Sequence, residues 1–331
     1  MKTCLVGSYP KIPAGSGPSV RTAIQRFEAG DISPRALHET YRDVTRRVLA
    51  LAEAHAVDLT TDGQIRWNDL MDPLTRDVDN FRAAGLLRLF DNNFYYRHPV
   101  ITGRLQFQGG TLAYWAREAV SLTSVPVMVA LPGPYTVLAL AEDQSYHHRD
   151  RLLADIVEVL RLEAESLVNT GVREVQWDEP GLATHSATPS LEEVASVYGD
   201  LTQNPPVPMS VALYWGSSSP WLRAFEGLTL NRLSVDVVHE PPLLRYFAEH
   251  GAPYPVGFGV LNAREVRLES VDELTRQLEP VIRRLGEDAV LVHPNSGLEL
   301  LPPDRAEAKV ALLGQLKVTL SGSPHSERGG N

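Results

Sequence analysis

One cysteine stands in the 331 residues, Cys4, so no intrachain disulfide can form and no site can draw two thiolates from this chain. Long apolar runs are missing too: nothing approaches the roughly 20 residues that a membrane-spanning helix needs. Positive charge is in deficit, with 31 Lys and Arg against 41 Asp and Glu and a net charge of −10. The cations, nearly all Arg, are scattered, which argues against nucleic acid, because phosphate neutralisation takes clustered positive charge. The opening "MKTCLVGSYP" lacks the apolar segment and small-residue cleavage site of a secretory signal, and the expected location is the cytoplasm. A phosphate loop is also absent. "VGSYPKIPAGSG" does not have the GxGxxG spacing, which counts against an open doubly wound dinucleotide fold.

What is present is the 43% hydrophobic content of a globular protein with a sizeable core. Short β-branched runs alternate with longer amphipathic segments, the form of repeated βα units. Eight runs read as strands leading into loops: 4–10, 57–64, 126–134, 173–180, 208–216, 232–240, 254–262 and 289–297. Residues 33–56 carry a Ser cap and helical apolar spacing, and 147–171 read as a long helix closing at Gly171. The aromatic-rich stretch 91–109 reads as an extra β-hairpin between the second and third units. The Ser/Gly-rich tail 321–331 reads as disordered. With no linker dividing the chain, these units predict an α/β protein, a single (β/α)8 TIM barrel over residues 1–320 with the hairpin inserted.

A (β/α)8 barrel builds its active site at the C-terminal ends of its strands. There the sequence places Ser8, Asp62, Gln64, Thr136, Asp178, Glu179, Tyr214, Asp236, Asn262, His293, Asn295 and Ser296. "QWDEP" sets the carboxylates of Asp178 and Glu179 side by side, a costly pairing unless a cation, a ligand or solvent is near. Adjacent strand residues point to opposite faces, so one of the two is expected to face the barrel axis. Structural readings stand beside the functional ones. Asp178 can cap the next helix with Pro180 in its first turn, His293 can be a satisfied core residue, and Tyr214 with Trp215 can be packing.

In their order, the strand-end motifs resemble the cobalamin-independent methionine synthase superfamily, specifically its catalytic C-terminal barrel, over about residues 3–318. "VGSYPK" resembles its first-strand motif, "TTDGQIRWND" its Asp-Gly-Glu stretch and "YYRHPVITGRL" its hairpin. "LPGPYTVL" resembles its Gly-Pro-x-Thr turn, "QWDEPGL" its Asp-Glu-Pro turn, and "HPNSGLELLP" its last-strand Asn-Pro-Asp-Cys-Gly stretch. In that family a zinc ion holds the homocysteine thiol as thiolate, and methyl arrives from a folate, or from a corrinoid in short members. Its zinc ligands are a His-x-Cys pair after the fifth strand, a Glu on the sixth and a Cys on the eighth. Those positions fall here on Ala212 and Tyr214, on Asp236 and on Ser296.

The family's amino-acid anchor is the better preserved part. It corresponds to Gly7, Ser8, Gln64 and Asp178, with Gln64 standing where the family has an acid. The resemblance therefore implies methyl or other group transfer on a small amino-acid-like metabolite, while its departures at the zinc-ligand positions lead to the expectation of no metal and no resident cofactor. A folate or corrinoid would supply the methyl group, the latter brought by a methyl-donor protein. The expected catalytic residues are Asp178, Tyr214, Asp236 and His293, the last because imidazole titrates near neutrality. Expected substrate contacts are Gly7, Ser8, Asp62, Gln64, Thr136, Glu179, Asn295 and Ser296. Two alternatives remain: a ligand-binding pseudoenzyme, and a lyase or decarboxylase of the related uroporphyrinogen decarboxylase type. The latter needs a cluster of arginines for substrate carboxylates, for which Arg66, Arg97, Arg104 and Arg264 are available.

Overall fold

The computed structural model describes residues 1–11, 19–90 and 95–321. Its strands are β1 (Lys2–Leu5), β2 (Leu59–Thr60), β3 (Val78–Arg88), β4 (Tyr95–Phe107), β5 (Met128–Pro132), β6 (Glu142–Asp143), β7 (Glu174–Asp178), β8 (Met209–Leu213), β9 (Arg232–Asp236), β10 (Val256–Leu261) and β11 (Val290–Pro294). Its α-helices are α1 (Val20–Glu28), α2 (Pro34–Ala54), α3 (Asp72–Asp77), α4 (Thr111–Ser121), α5 (Pro134–Leu140), α6 (Arg149–Ser166), α7 (Pro180–Ala183), α8 (Leu191–Thr202), α9 (Pro242–His250), α10 (Val271–Leu285) and α11 (Pro303–Ser321). One eight-stranded sheet has the order β2-β1-β11-β10-β9-β8-β7-β5. This is the strand order of a (β/α)8 barrel. Seven of the eight runs read as strands from the sequence contain one of these strands, and the first, 4–10, overlaps β1, which starts two residues earlier at Lys2.

By its contacts the chain forms two compact units. The first comprises Met1–Ile65, Leu122–Pro126 and Val235–Asn331. In it β2, β1, β11 and β10 pair in parallel. Helix α2 begins where the sequence signals it: the Ser33 hydroxyl accepts from Ala36 N at 3.2 Å, and Pro34 occupies the first turn. The helix buries Val44, Val48 and Ala52 at helical spacing against Leu5, Val57, Leu298 and Val310. The expected disordered tail 321–331 lies outside the described residues apart from Ser321, which ends α11.

The second unit comprises Arg66–Ser121 and Val127–Ser234, with β5, β7 and β8 pairing in parallel. Its second sheet has the order β3-β4-β6, with β3 and β4 antiparallel. This is the extra hairpin, inserted between the second and third barrel strands as expected. It starts earlier than its aromatic signal: β3 begins at Val78, and "RAAGLLR" is strand because β4 supplies its partner, not because of its own propensity. Of the stretch 91–109 that carried the signal, residues 91–94 lie outside the described residues. Helix α6 also departs from expectation. It ends at Ser166, and Gly171 takes its left-handed conformation, φ +91°, in the turn that follows.

Candidate active site

In the second unit β7 carries Glu174, Gln176 and Asp178 at the two-residue period that points side chains to one face. Glu179 points away from that face. Its carboxylate accepts from the backbone N–H groups of Tyr135 (3.0 Å) and Thr136 (2.8 Å), the Thr136 hydroxyl (2.7 Å) and the Tyr198 hydroxyl (2.6 Å). The first two are orphan donors of the first turn of α5, so Glu179 closes that helix end. Gly133 is what lets it reach: a Cβ there would lie 2.4 Å from Glu179 Cδ. Gly181 N in turn donates to the Thr136 hydroxyl at 3.1 Å, locking "LPGP" to "DEPG". Burial pushes Glu179 up to about 7 against these donors. Glu179 and Thr136, both expected to touch substrate, thus spend their polar atoms on each other.

Asp178 is held differently. Gln176 Nε2 donates to its Oδ1 at 2.8 Å and the Tyr214 hydroxyl to its Oδ2 at 3.2 Å. It is 4% exposed, and among the described residues it forms no ion pair. Burial pushes its carboxyl up to about 7, opposed by the two hydrogen bonds and by the charge of Arg232. Asp178 does not cap α7; Glu179 occupies the N-cap position without a capping hydrogen bond from its own side chain. Tyr214, directly after β8, packs edge-on against Trp215 with ring centroids 4.8 Å apart. Trp215 sits at φ +67°, a strained conformation for a bulky residue of a kind that clusters at functional sites.

Below Asp178 lies a buried polar network. Arg232 on β9 pairs with Glu174 Oε1 at 2.6 Å and donates to Gln176 Oε1 at 2.9 Å, Ser234 Oγ at 3.0 Å and Ser210 Oγ at 3.3 Å. Ser210 Oγ donates to Glu174 Oε1 at 3.0 Å, and Asn231 Nδ2 to Glu174 Oε2. None of these residues was among the candidates. The signal was present as polar residues at period two inside strands, "EVQWD" and "RLSVD".

In the first unit the loops after β1, β2 and β11 meet. Thr61 Oγ1 donates to Gly7 O at 2.6 Å, and Gly63 O accepts from Tyr9 N at 2.9 Å. Asp62 Oδ1 accepts from Gln64 N at 2.8 Å, with Gln64 left-handed at φ +49°. Ser8 lies so close to Gly297 that a Cβ there would fall 2.6 Å from both Ser8 N and Oγ. Ser296, just before that glycine, is buried. Asn295 spans two elements: its Nδ2 donates to both Asp236 oxygens, at 3.2 and 3.0 Å, and its Oδ1 accepts from Ala263 N at 2.9 Å. Asp236 Oδ1 also accepts from His239 N at 3.0 Å. His293 is 3% exposed, with Nδ1 2.7 Å from Pro294 O. A carbonyl only accepts, so Nδ1 carries the proton.

Three of the arginines available for substrate carboxylates are bound to protein carboxylates instead. Arg66 pairs with Glu118, Arg97 with Asp69 and Asp72, and Arg104 with Asp155. A decarboxylase-type arginine cluster is not what these three side chains build.

Comparison with known proteins completes the geometry. The family model described as the N-terminal domain of cobalamin-independent synthase matches residues 63–286, more than half of the chain. The chain belongs to the cobalamin-independent synthase family. The motifs led to the same superfamily through a likeness to its C-terminal barrel, whereas the model that matches describes its N-terminal domain. Among curated relatives, a methionine synthase of Sulfurisphaera tokodaii is 26% identical over 96% of this chain and 91% of its own length. One from Sulfolobus acidocaldarius is 25% identical over 97% and 91%. The structure of a B12-independent methionine synthase from Shewanella sp. W3-18-1, in complex with selenomethionine, superposes with a TM-score of 0.76 at 17% identity, covering 96% of this chain and 97% of that one. That likeness establishes the barrel fold.

The synthase resemblance implies zinc, so the residues at its ligand positions can be asked whether they suit it. Ala212 offers a methyl group, Tyr214 a phenol, Asp236 a carboxylate and Ser296 a hydroxyl. Zinc in proteins takes thiolate, imidazole and carboxylate donors, usually four of them. The set here contains one such donor, already bonded to Asn295 and His239 N. It does not fit. Among the described residues no group of three or more His, Cys, Asp or Glu is placed to hold a metal ion.

Proposed function

We propose that this synthase-family barrel performs methyl or other group transfer on a small amino-acid-like metabolite, without zinc, and that Asp178 anchors the ligand's ammonium group. The observation that carries the proposal is the state of Asp178. It ends a barrel strand, is buried, takes hydrogen bonds from Gln176 and Tyr214, and forms no ion pair among the described residues. A buried carboxylate so placed gains from a cation that the ligand brings. The methionine synthase activity given for the archaeal relatives supports the reaction class and the amino-acid ligand.

The further assignments follow the chemistry of each group. Tyr214 orients the Asp178 carboxylate through its hydroxyl. His293, with its proton on Nδ1, and Asp236, aligned by Asn295, handle protons at the reacting atoms. We assign Gly7, Ser8, Asp62, Gln64, Asn295 and Ser296 to substrate contact on the strength of the family resemblance. We assign Glu179 and Thr136 to the scaffold. The methyl group comes from a folate, or from a corrinoid carried by a partner protein, and the setting is cytoplasmic; among the described residues no helix is long and apolar enough to cross a membrane.

Calorimetric titration with L-methionine tests the anchor. Losing a charge-assisted hydrogen bond costs about 1.5–3 kcal/mol, so Asp178→Asn should bind ten- to a hundredfold more weakly while melting close to the wild type. Equal affinities for the two proteins would remove the proposed role. Binding without methyl transfer from either donor would support a ligand-binding protein that has lost the chemistry, the reading that the changed zinc positions favour.

A further inference from the structure

We propose that Arg232 is a positioning residue for Asp178, acting through Gln176: it fixes the Gln176 amide so that the carboxylate meets a donor and stays ready for a cation. This deepens the reading of Asp178 as a ligand anchor and rests on it for its functional meaning.

The argument turns on which end of an amide faces which neighbour. A guanidinium has only donors, so the Gln176 atom 2.9 Å from Arg232 must be its oxygen. The amide nitrogen is thereby turned to Asp178 Oδ1 at 2.8 Å. An amide N–H cannot accept, so a proton on Oδ1 would face another donor, and the arrangement favours the ionised acid. Arg232 is itself held in place. Glu174, Ser210 and Ser234 engage it, and it is 3% exposed, so neither the guanidinium nor the amide can turn without breaking buried hydrogen bonds.

The charged and titratable groups around Asp178 are few. The loop that follows β8 contributes Tyr214, which donates to it. β9 contributes Arg232, whose charge favours the ionised form, with Glu174 of β7 behind it as partner. α8 contributes Tyr198, bonded to the neighbouring Glu179. The paired strand β5, Met128–Pro132, carries no titratable side chain. Among the described residues these elements contribute, the cation is Arg232 and the amide Gln176, so their removal should register as a change in Asp178's proton affinity.

The test is an infrared pH titration of the Asp178 carboxyl band, isolated by subtracting the spectrum of Asp178→Asn, which needs no ligand. In Gln176→Met the midpoint should move up by about one pH unit, the change expected from losing one hydrogen bond to a charged group. Replacing the ion pair as a unit, Arg232→Met with Glu174→Met, should move it the same way without leaving an unpaired buried charge. L-methionine then reports the consequence. For a one-unit shift, Gln176→Met should bind roughly ninefold more weakly than wild type at pH 6, about fivefold at pH 7 and almost equally at pH 9. A residue that merely stabilised the fold would leave the midpoint in place and give one ratio at every pH. An unmoved midpoint in both variants overturns the relay even if Asp178→Asn abolishes binding. A moved midpoint with unaltered binding in Asp178→Asn leaves the relay standing and removes the anchor.

Discussion

Glu179→Gln separates the two neighbouring carboxylates most sharply. The Glu179 side chain accepts from two backbone N–H groups, Tyr135 and Thr136, and two hydroxyls, Thr136 and Tyr198. A glutamine offers one acceptor atom. Its oxygen can keep the two Thr136 bonds, and its nitrogen can donate to the Tyr198 hydroxyl, but the Tyr135 N–H is then left facing a donor. An orphaned buried N–H costs about 1–3 kcal/mol, and the surviving bonds lose their charge assistance at about 1 kcal/mol. Taking about 3 kcal/mol in all, and an unfolding entropy of about 2.1 cal/mol/K per residue, the melting temperature should fall by about 4 °C. Differential scanning calorimetry reads this directly, with Asp178→Asn as the paired control. Gly133→Ala should act through the same contact, because its Cβ would fall 2.4 Å from Glu179 Cδ. Its cost in a Glu179→Ala background, which removes the atoms the new Cβ would strike, should therefore be well below its cost alone. Wild-type melting for Glu179→Gln together with lost L-methionine binding would refute the assignment, since it would make Glu179 a ligand contact and not a helix clamp.

Glu163 is wholly buried on α6, and its Oε2 has no hydrogen-bond partner among the described residues. Burial, with the charge of Asp77, pushes its carboxyl up to about 8. A folded pKa above the unfolded value means that its stabilising contribution is full below about pH 4 and is lost as pH rises towards 8. Glu163→Gln should flatten that loss and make the protein the more stable of the two at pH 8.5, which urea melts at pH 5 and 8.5 would show. Elemental analysis of chelator-washed protein should find no stoichiometric zinc; one tightly held zinc per chain, released by Asp236→Ala, would overturn the zinc-free reading.

Features set by local physics can be read directly from the order of residues. Most strand positions, the Ser33 helix cap and the place of the inserted hairpin are written in the period of apolar residues and in capping chemistry, which act over a few neighbouring residues. The end of α6 at Ser166 and the start of the hairpin at Val78 are not legible in the sequence, because propensity is weak there and partners decide. β3 is strand because β4 pairs with it, and α6 stops five residues short of the glycine that looked like its cap. The roles within "QWDEP" lay further out of reach. Period two separates the faces of Asp178 and Glu179, but Glu179's destination depends on Gly133, Tyr135, Thr136 and Tyr198, between 19 and 46 positions away. Arg232 reaches Gln176 across 56 residues, and Asn295 reaches Asp236 across 59. Only tertiary structure brings such groups within hydrogen-bond distance. Burial then makes each bond matter, because a buried polar atom without a partner costs more than a satisfied one gains.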